Sequence, residues 1–465
     1  MTERRRVPPT HLSGHAPPGS ALSPRTAFAR LPRLVRALVE YAPLDAWEQD
    51  TVTLSPALQR VRRTARAFAE RHLAPVALSV DVRPHGPPGE PGAEAMEVLR
   101  AAAREGLLDD LLPRPFGSAA PRLLAEPLYF PAALKTEELA AVDGGLMLLL
   151  SAHALGVAPL LLAGDLGALR RFVLPAFRAC ARGEPQLLAF AITEPAAGSD
   201  VEDGHGAATA RPGTTATRAP GGWRLDGRKC FISGGDLAVG VVVFAALAGE
   251  DMRSWTAFYV PKGAVGFRVT RTEKKLGMRA SSAAELEFDD VFVSDEHVLG
   301  GLRNGWALNR AVLNMSRIPV AAMGVGFARA ATDAAIEFCC RTTLGGRALV
   351  DYQDVQLELA GMLADTAAAR AMVWAAASRR QALQREASAA KFHCTDTALS
   401  VCTRAMDLLG NHALLHHERV EKIYRDARLT QIFEGTNELN RLSVIEDLQE
   451  QLLATMRAPS KGPTP

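Results

Sequence analysis

Residues 240–247 read GVVVFAAL, an apolar run rich in β-branched residues and bounded by turn-forming residues. Similar short runs surround it: LLAFAIT (187–193), GWRLDGRKCFIS (222–233), WTAFYV (255–260) and AELEFDDVFV (284–293). Runs of this length between Gly, Pro and Asp turns are typical of β-strands. The sequence therefore predicts a small antiparallel β domain over residues 186–301.

Helical periodicity lies on both sides of these strands. Leu58, Val61, Ala65 and Phe68 repeat at steps of three and four residues, and long helical patterns return after residue 302. We predict an α+β fold that is mostly α, with an N-terminal helical domain at 52–185 and a C-terminal four-helix bundle at 302–454. Residues 1–51, rich in Pro, Ser, Gly and Arg, are predicted to be a mobile basic extension, and 455–465 a tail.

Composition excludes several classes of function. The chain has 465 residues, 48% of them hydrophobic, and a formal net charge of +2, so large cores are expected and nucleic-acid binding is not. Six scattered cysteines lack ligand-like spacing, which predicts no metal site. The apolar stretch 146–164 is interrupted by His153 and Pro159, so we expect a buried helix pair there, no stretch long enough to cross a membrane, and no membrane span. We expect a cytoplasmic protein, or a mitochondrial matrix protein if the extension is a transit peptide.

The run QIFEGTNELN (431–440) places Glu434 between an apolar pair and a glycine. One interpretation is a turn that Gly435 breaks and Thr436 caps, with Glu438 near the positive end of the following helix. That interpretation leaves Glu434 unexplained, because a carboxylate next to apolar residues is desolvated, which raises its pKa and makes it a stronger base. Glu434 is therefore a candidate general base.

Several motifs together carry a family resemblance. AITEPAAGSDV (191–201), GRKCFISGG (227–235), KKLGMRAS (274–281), LEFDDVFV (286–293) and RDARLTQIFEGTNEL (425–439) resemble the acyl-CoA dehydrogenase family in order and spacing. The resemblance implies an FAD-dependent α,β-dehydrogenation of an acyl thioester carried by coenzyme A or a carrier protein. It implies that Glu434 removes the α-proton, and that the enolate oxygen is stabilised by the base's own backbone N–H and a flavin ribityl hydroxyl. Ser316 occupies the other position known for the base in this family and cannot serve.

The resemblance also implies contacts for the remaining motif residues. Residues implied to bind FAD are Phe190, Ile192, Thr193, Ser199, Phe231, Ser233, Arg341, Gln353, Asp407, Gly410, Thr436 and Glu438. Residues implied to bind substrate are Ser199, Asn314, Arg317 and Gly435. Phe231 and Ser233 stand where relatives often have Trp and Thr. Read without the resemblance, Thr193 would be a strand end before a turn, Phe231 a strand aromatic and Arg317 a solvated helix charge.

Two departures from the family pattern concern the nucleotide end of FAD. Arg341 and Gln353 are kept, but Leu344 replaces a phenylalanine that reaches the FAD of a neighbouring subunit. In DLLGNHA (407–413), Asp407 replaces a neutral amide, and Asn411 and Ala413 replace glycines. A carboxylate near a diphosphate repels it, so weaker FAD retention is expected.

The resemblance further implies a homodimer or homotetramer and an electron-transferring flavoprotein or another electron acceptor. Two alternatives stay open. A flavin oxidase or monooxygenase of the same fold would pass electrons to oxygen, and a non-catalytic binding or assembly subunit would account for the altered GNHA segment.

Overall fold

The structure is a computed structural model that describes residues 28, 30–38, 46–83, 89–202 and 204–457. Its first region is helical: α1 Arg33–Leu38, α2 Pro56–Phe68, α3 Ala77–Val82, α4 Ala93–Arg104, α5 Tyr129–Ala140, α6 Gly144–Leu162, α7 Leu166–Ala168 and α8 Leu174–Ala181. Local chemistry sets where these helices begin. Ser55 Oγ accepts the Leu58 amide of α2, with Pro56 in the first helical position, and Asp143 Oδ1 accepts the Leu146 amide of α6 at 2.7 Å.

Helix α6 corrects two expectations about the stretch 146–164. It is one continuous helix with Pro159 in its last turn, so the expected helix pair is wrong. Both α6 and the later helix Gly305–Arg341 are long and apolar enough to cross a membrane, so the expectation that no stretch reaches that length is also wrong. Buried positions make up 61% and 72% of their most apolar windows, as is usual for core helices of a soluble fold.

The middle region is an eight-stranded sheet: β1 Leu188–Ala191, β2 Thr215–Ala219, β3 Gly222–Ser233, β4 Gly240–Leu247, β5 Thr256–Pro261, β6 Phe267–Thr272, β7 Ala283–Ser294 and β8 Val298–Leu299. The strand order is β6-β7-β3-β2-β4-β5-β8, and β1 also pairs with β4. Most pairings are antiparallel, as predicted, while β1 and β2 each run parallel to β4. A short helix, α9 (Gly204–Thr209), lies between β1 and β2.

Strand β4 is buried at every position, which explains why its sequence is an unbroken apolar run. Val242 and Phe244 pack into the apolar cluster that includes α6, whereas Val241 and Val243 pack on the opposite face with Trp223. Because both faces are covered, β4 is the core of the sheet and holds β1, the strand that leads into the candidate site.

The third region is helical again: α10 Gly305–Arg341, α11 Gln353–Ala377, α12 Gln384–Leu409, α13 Val420–Thr430 and α14 Asn437–Arg457, with a small hairpin of β9 Thr343–Leu344 and β10 Arg347–Ala348. Helices α10 and α12 pack closely where Gly324 lacks a side chain, since a Cβ there would lie 2.8 Å from the Cys394 carbonyl oxygen. The α+β, mostly helical fold class is therefore confirmed.

A buried ionic cluster joins the two helical regions. Arg329 on α10 donates to Glu137 at 2.9 Å and to Glu138 at 2.8 Å, both on α5. Arg370 on α11 donates to Glu137 at 2.5 Å, and Arg62 on α2 donates to Glu138 at 2.7 Å. All five side chains are buried, so each carboxylate is compensated by more than one guanidinium.

Trp47 corrects the predicted N-terminal extension. Its side chain is buried, its indole N–H donates to Asp333 at 2.7 Å, and its carbonyl accepts from Arg62 at 2.6 Å. The Arg370 guanidinium lies 5.1 Å from the indole ring centroid. Assigning residues 46–51 to a mobile extension is therefore wrong. Residues 1–27, 29 and 39–45 of the extension, and 458–465 of the tail, lie outside the described residues.

We predict that Trp47→Ala lowers the free energy of unfolding by about 3–5 kcal/mol, because it empties a buried aromatic site and removes a hydrogen bond. Trp47→Phe keeps a ring and should cost roughly 1 kcal/mol for the lost indole donor. Deleting residues 1–45 should leave the unfolding midpoint nearly unchanged. Urea denaturation of the three variants measures these differences, and equal stability of Trp47→Ala and the parent protein would contradict them.

Candidate active site

The candidate site is built around a left-handed turn between α13 and α14. Glu434 has φ 56° and Gly435 has φ 78°. A Cβ at Gly435 would lie 3.0 Å from Leu439, 3.1 Å from a Glu202 oxygen and 3.3 Å from an Arg317 nitrogen, so the turn needs glycine at that position. Thr436 Oγ then accepts the Leu439 amide at 3.2 Å, which confirms the predicted helix cap.

Cations and one amide hold the carbonyl groups of this turn. Arg317 Nε donates to the Glu434 carbonyl at 3.4 Å, and Lys391 Nζ donates to the Gly435 carbonyl at 2.7 Å. Asn440 Nδ2 donates to the Gly435 and Thr436 carbonyls at 2.9 and 3.0 Å. The Glu434 amide donates to no acceptor in the described part of the chain, so it is available to a ligand.

The carboxylate of Glu434 is half-buried and accepts a hydrogen bond of 2.5 Å from Ser316 Oγ. Burial raises the pKa of Glu434 above its ordinary value, and the Ser316 hydrogen bond and the charges of Arg317 and Lys391 only partly offset that effect. A carboxylate with a raised pKa is a stronger base than a solvated one. The desolvation expected from the neighbouring apolar residues is therefore present, although Ile432 itself is exposed.

Sequence reasoning missed two charged residues of this site, Glu202 and Lys391. Both are buried, and Arg317 NH2 donates to Glu202 at 3.0 Å. Burial raises the pKa of Glu202 to about 7, opposed by the charge of Arg317, and burial lowers the pKa of Lys391 to about 7, opposed by Glu434. The only signal in the sequence is a charge within an otherwise apolar helix stretch, SAAKFHC (388–394), for Lys391.

All four residues implied to bind substrate meet at this turn. Ser199 Oγ accepts the Thr436 amide at 3.1 Å, and Asn314 Oδ1 accepts from Arg317 NH1 at 3.2 Å. Arg317 itself is 4% exposed, so the alternative of a solvated helix charge is wrong. The structure thus brings Ser199, Asn314, Arg317 and Gly435 together around Glu434.

The residues implied to contact the flavin ring lie on two adjoining strands. The Thr193 carbonyl accepts the Cys230 amide at 2.9 Å, and Lys229 Nζ donates to the Ile192 carbonyl at 2.9 Å. These bonds place the end of β1 beside the irregular part of β3, where Phe231 has φ 57° and is 61% exposed. Phe190 instead points into the core, with its ring 5.2 Å from that of Phe244. Ser233 is half-buried at the end of β3.

A cavity of about 520 Å³ opens beside the turn. Its lining includes Thr436 and Glu438, two of the residues implied to bind FAD. The other lining residues are polar except for Leu399 and Ile432: Asp396, Leu399, Arg428, Gln431, Ile432 and Asn437. This volume is within the range of small-molecule and cofactor sites. Unlike Thr436 and Glu438, Glu434 and Phe231 do not line this cavity. The exposed ring of Phe231, and the Glu434 amide that has no acceptor in the described part of the chain, are further groups that fit a flavin.

Arg341, Gln353, Asp407 and Gly410 are exposed and lie at or near the ends of α10, α11 and α12. Arg341 lies 24 residues after Arg317 on α10, which corresponds to roughly 36 Å of helix. Arg341 pairs with Glu418, and the Phe338 and His412 rings are 5.3 Å apart, so this group lies where α10 and α12 end. One chain therefore does not bring this group to the base.

A separate group of possible metal ligands, Asp81, His416 and Glu421, has ligand atoms within 4.8 Å of one another. Arg425 donates to Asp81 at 2.7 Å and to Glu421 at 2.6 Å, so a guanidinium already compensates these carboxylates. The group carries no independent indication of a metal.

Comparison with known proteins agrees with this geometry. Family models for the N-terminal, middle and C-terminal domains of acyl-CoA dehydrogenase match residues 55–178, 189–291 and 303–449. An acyl-CoA dehydrogenase of Bacillus subtilis is 31% identical over 389 residues, covering 83% of this chain and 96% of the relative. The mitochondrial short-chain specific acyl-CoA dehydrogenase of Mus musculus is 30% identical over 405 residues, covering 85% and 90%. The structure of butyryl-CoA dehydrogenase from Megasphaera elsdenii is 29% identical, with a TM-score of 0.76, covering 85% and 99%.

A fold of helical, sheet and helical regions with a half-buried carboxylate of raised pKa at Glu434 is that of the flavin-dependent oxidoreductases acting on CH–CH groups. The chain belongs to the acyl-CoA dehydrogenase family.

We predict that Gly435→Ala destabilises the protein by about 1–2 kcal/mol from left-handed backbone strain alone, with a further loss because its Cβ would crowd Glu202 and Arg317. Gly249→Ala is the matched control, since Gly249 has φ 84° and open space around it. Thermal unfolding of both variants separates strain from crowding. An equal loss in the two would show that the contacts at Gly435 do not matter.

Proposed function

We propose that the chain removes the α- and β-hydrogens of an acyl thioester with FAD as its cofactor and Glu434 as the catalytic base. The observation that carries the proposal is that Glu434 combines a carboxylate of raised pKa with a backbone amide that no acceptor occupies in the described part of the chain. One residue can therefore take a proton and bind the oxygen on which charge develops.

The roles of the neighbouring side chains follow from their contacts. Ser316 orients the Glu434 carboxylate, and Lys391 and Arg317 hold the turn whose amide would face the thioester oxygen. Bound FAD would accept the β-hydrogen as hydride. Phe231, Ile192, Thr193 and Ser233 are proposed to hold its ring system, and Thr436 and Glu438 its ribityl and diphosphate portion.

We propose a homodimer or homotetramer. The final helix α14 exposes a series of large apolar side chains, which a solvated helix would not favour: Leu442, Ile445, Leu448, Leu452 and Leu453. The group around Arg341 and Asp407 is far from the base of its own chain and is proposed to contact the nucleotide end of a partner's FAD. An electron-transferring flavoprotein or a similar acceptor is proposed to reoxidise the flavin.

We predict that Glu434→Gln binds FAD and acyl thioester but reduces its flavin at least roughly 10²–10⁴-fold more slowly, because the amide cannot accept the α-proton. Anaerobic stopped-flow with butyryl-CoA, octanoyl-CoA and palmitoyl-CoA measures the bleaching of the flavin band. Glu450→Gln, which removes an exposed carboxylate from α14, is the control and should react like the parent. Fast bleaching in Glu434→Gln would exclude the assignment.

We also predict that Asp407→Gln tightens FAD binding or leaves it unchanged, since an exposed carboxylate near a diphosphate is repulsive. Equilibrium dialysis of the apoprotein against FAD gives the dissociation constant. Asp365→Asn, a change of an exposed carboxylate on α11, controls for the change in net charge. Loss of FAD from Asp407→Gln would show that Asp407 supports the cofactor.

A further inference from the structure

Arg317 has two carboxylates within its reach at the candidate site. Its Nη2 donates to Glu202 at 3.0 Å, and its Nε donates to the backbone carbonyl of Glu434 at 3.4 Å. Its Nη1 donates to Asn314 Oδ1 and to Ser388 Oγ, both at 3.2 Å. In the described part of the chain, the Glu434 carboxylate accepts its hydrogen bond from Ser316 instead.

Glu202 is placed for this pairing by its own backbone. It ends the short helical turn Ser199–Glu202 that follows β1, and its carbonyl accepts from Arg310 NH1 at 2.9 Å. The preceding Val201 carbonyl accepts the Trp306 indole N–H at 3.1 Å. Both donors lie on α10, the helix of Arg317, so Glu202 and Arg317 are held in one register.

We propose that Glu202 is a positioning residue that holds Arg317 against the backbone of the Glu434 turn and so keeps the guanidinium from pairing with the carboxylate of the base. The inference rests on the proposed role of Glu434. A direct pair between Arg317 and the Glu434 carboxylate would weaken the base and turn the carboxylate away from Ser316 and the substrate. Glu202 prevents it by offering Arg317 a buried carboxylate in a fixed position.

The charges around both carboxylates set the direction of the effect. Glu202 faces Arg317, Glu434, Lys391 and Arg310. Glu434 faces Ser316, Arg317, Lys391 and, in return, Glu202. An arginine that moves next to a carboxylate favours its ionised form and lowers its pKa by about 1–3 units. Flavin reduction needs the ionised base, so its rate rises with pH through the pKa of Glu434, and freeing Arg317 should move that rise to lower pH.

The test is the pH profile of anaerobic flavin reduction in FAD-loaded Glu202→Gln, with butyryl-CoA, octanoyl-CoA or palmitoyl-CoA, whichever reduces the parent enzyme fastest. We expect the acidic limb to move down by about one unit or more and the limiting rate to fall, with the flavin retained. A profile that superimposes on that of the parent enzyme would overturn the inference. A lower melting temperature with an unchanged profile would do the same, because it would show a merely structural role.

Glu202→Gln could shift the pH profile by freeing Arg317 or by removing a negative charge near Glu434. Making the same change in the Arg317→Met variant separates these two effects. If Glu202 acts by holding Arg317, adding Glu202→Gln to Arg317→Met should produce no further shift in the profile. A shift of the same size in both backgrounds would overturn the positioning role and assign the effect to the charge of Glu202 itself. If Glu202→Gln does not fold, Glu202→Asp is the second variant. Its shorter side chain withdraws the carboxylate from Arg317, so the pH profile should shift less but in the same direction. An unchanged Glu202→Asp profile overturns the inference.

The Glu434→Gln variant distinguishes a failure of the positioning role of Glu202 from a failure of the proposed base. Slow reduction by Glu434→Gln together with an unshifted Glu202→Gln profile would reject only the role of Glu202. Fast reduction by Glu434→Gln would reject the proposed base and, with it, the inference that depends on that base.

Discussion

The buried pairing of Arg329 with Glu137 and Glu138 fixes the long helix α10 to the N-terminal helices, and the candidate site depends on that attachment. Arg329 lies 12 residues after Arg317, roughly 18 Å along the same helix. Burial opposes ionisation of Glu138, but the guanidinium groups of Arg329 and Arg66 hold the pKa of Glu138 well below its usual range. Removing one partner would leave a buried charge uncompensated, at a cost of about 3–5 kcal/mol. One helix thus carries both the anchor of the fold and the donors that meet the base.

The turn at Glu434 is held in part by α10, the same helix that Arg329 attaches to the N-terminal helices. Four elements converge on it: α10 through Ser316 and Arg317, α12 through Lys391, the turn after β1 through Ser199 and α14 through Asn440. Arg317 and Lys391 bind the carbonyls of Glu434 and Gly435, while the Glu434 amide has no acceptor among the described residues. The same contacts that set the backbone therefore prepare both the base and its adjacent hydrogen-bond donor.

Local patterns in the sequence predicted the parts of the structure that local forces decide. The apolar run 240–247 forms strand β4 and Thr436 caps α14, both as predicted, while the burial of β4 on both faces comes from the fold. Pro159 was misleading because it lies in the last turn of α6, where the helix continues past it for only three residues. The family resemblance placed Arg317 near the substrate, but only the fold shows that it is buried and paired with Glu202. Glu202 and Lys391 escaped notice because their partners are more than 40 residues away in the chain.

Magnitudes explain why so irregular a turn persists. A left-handed conformation costs a non-glycine residue such as Glu434 about 1–2 kcal/mol, and burying its carboxylate adds to that cost. A hydrogen bond from a charged donor contributes about 1.5–3 kcal/mol, and Lys391 and Arg317 supply two of them to the carbonyls of this turn. These two contacts oppose the backbone strain, and the Lys391 bond at 2.7 Å is the shorter and stronger of them. Neither hydrogen bond is made to the Glu434 carboxylate itself. The charges of Arg317 and Lys391 therefore lower the pKa of Glu434 only in part, and burial still leaves that pKa above its ordinary value.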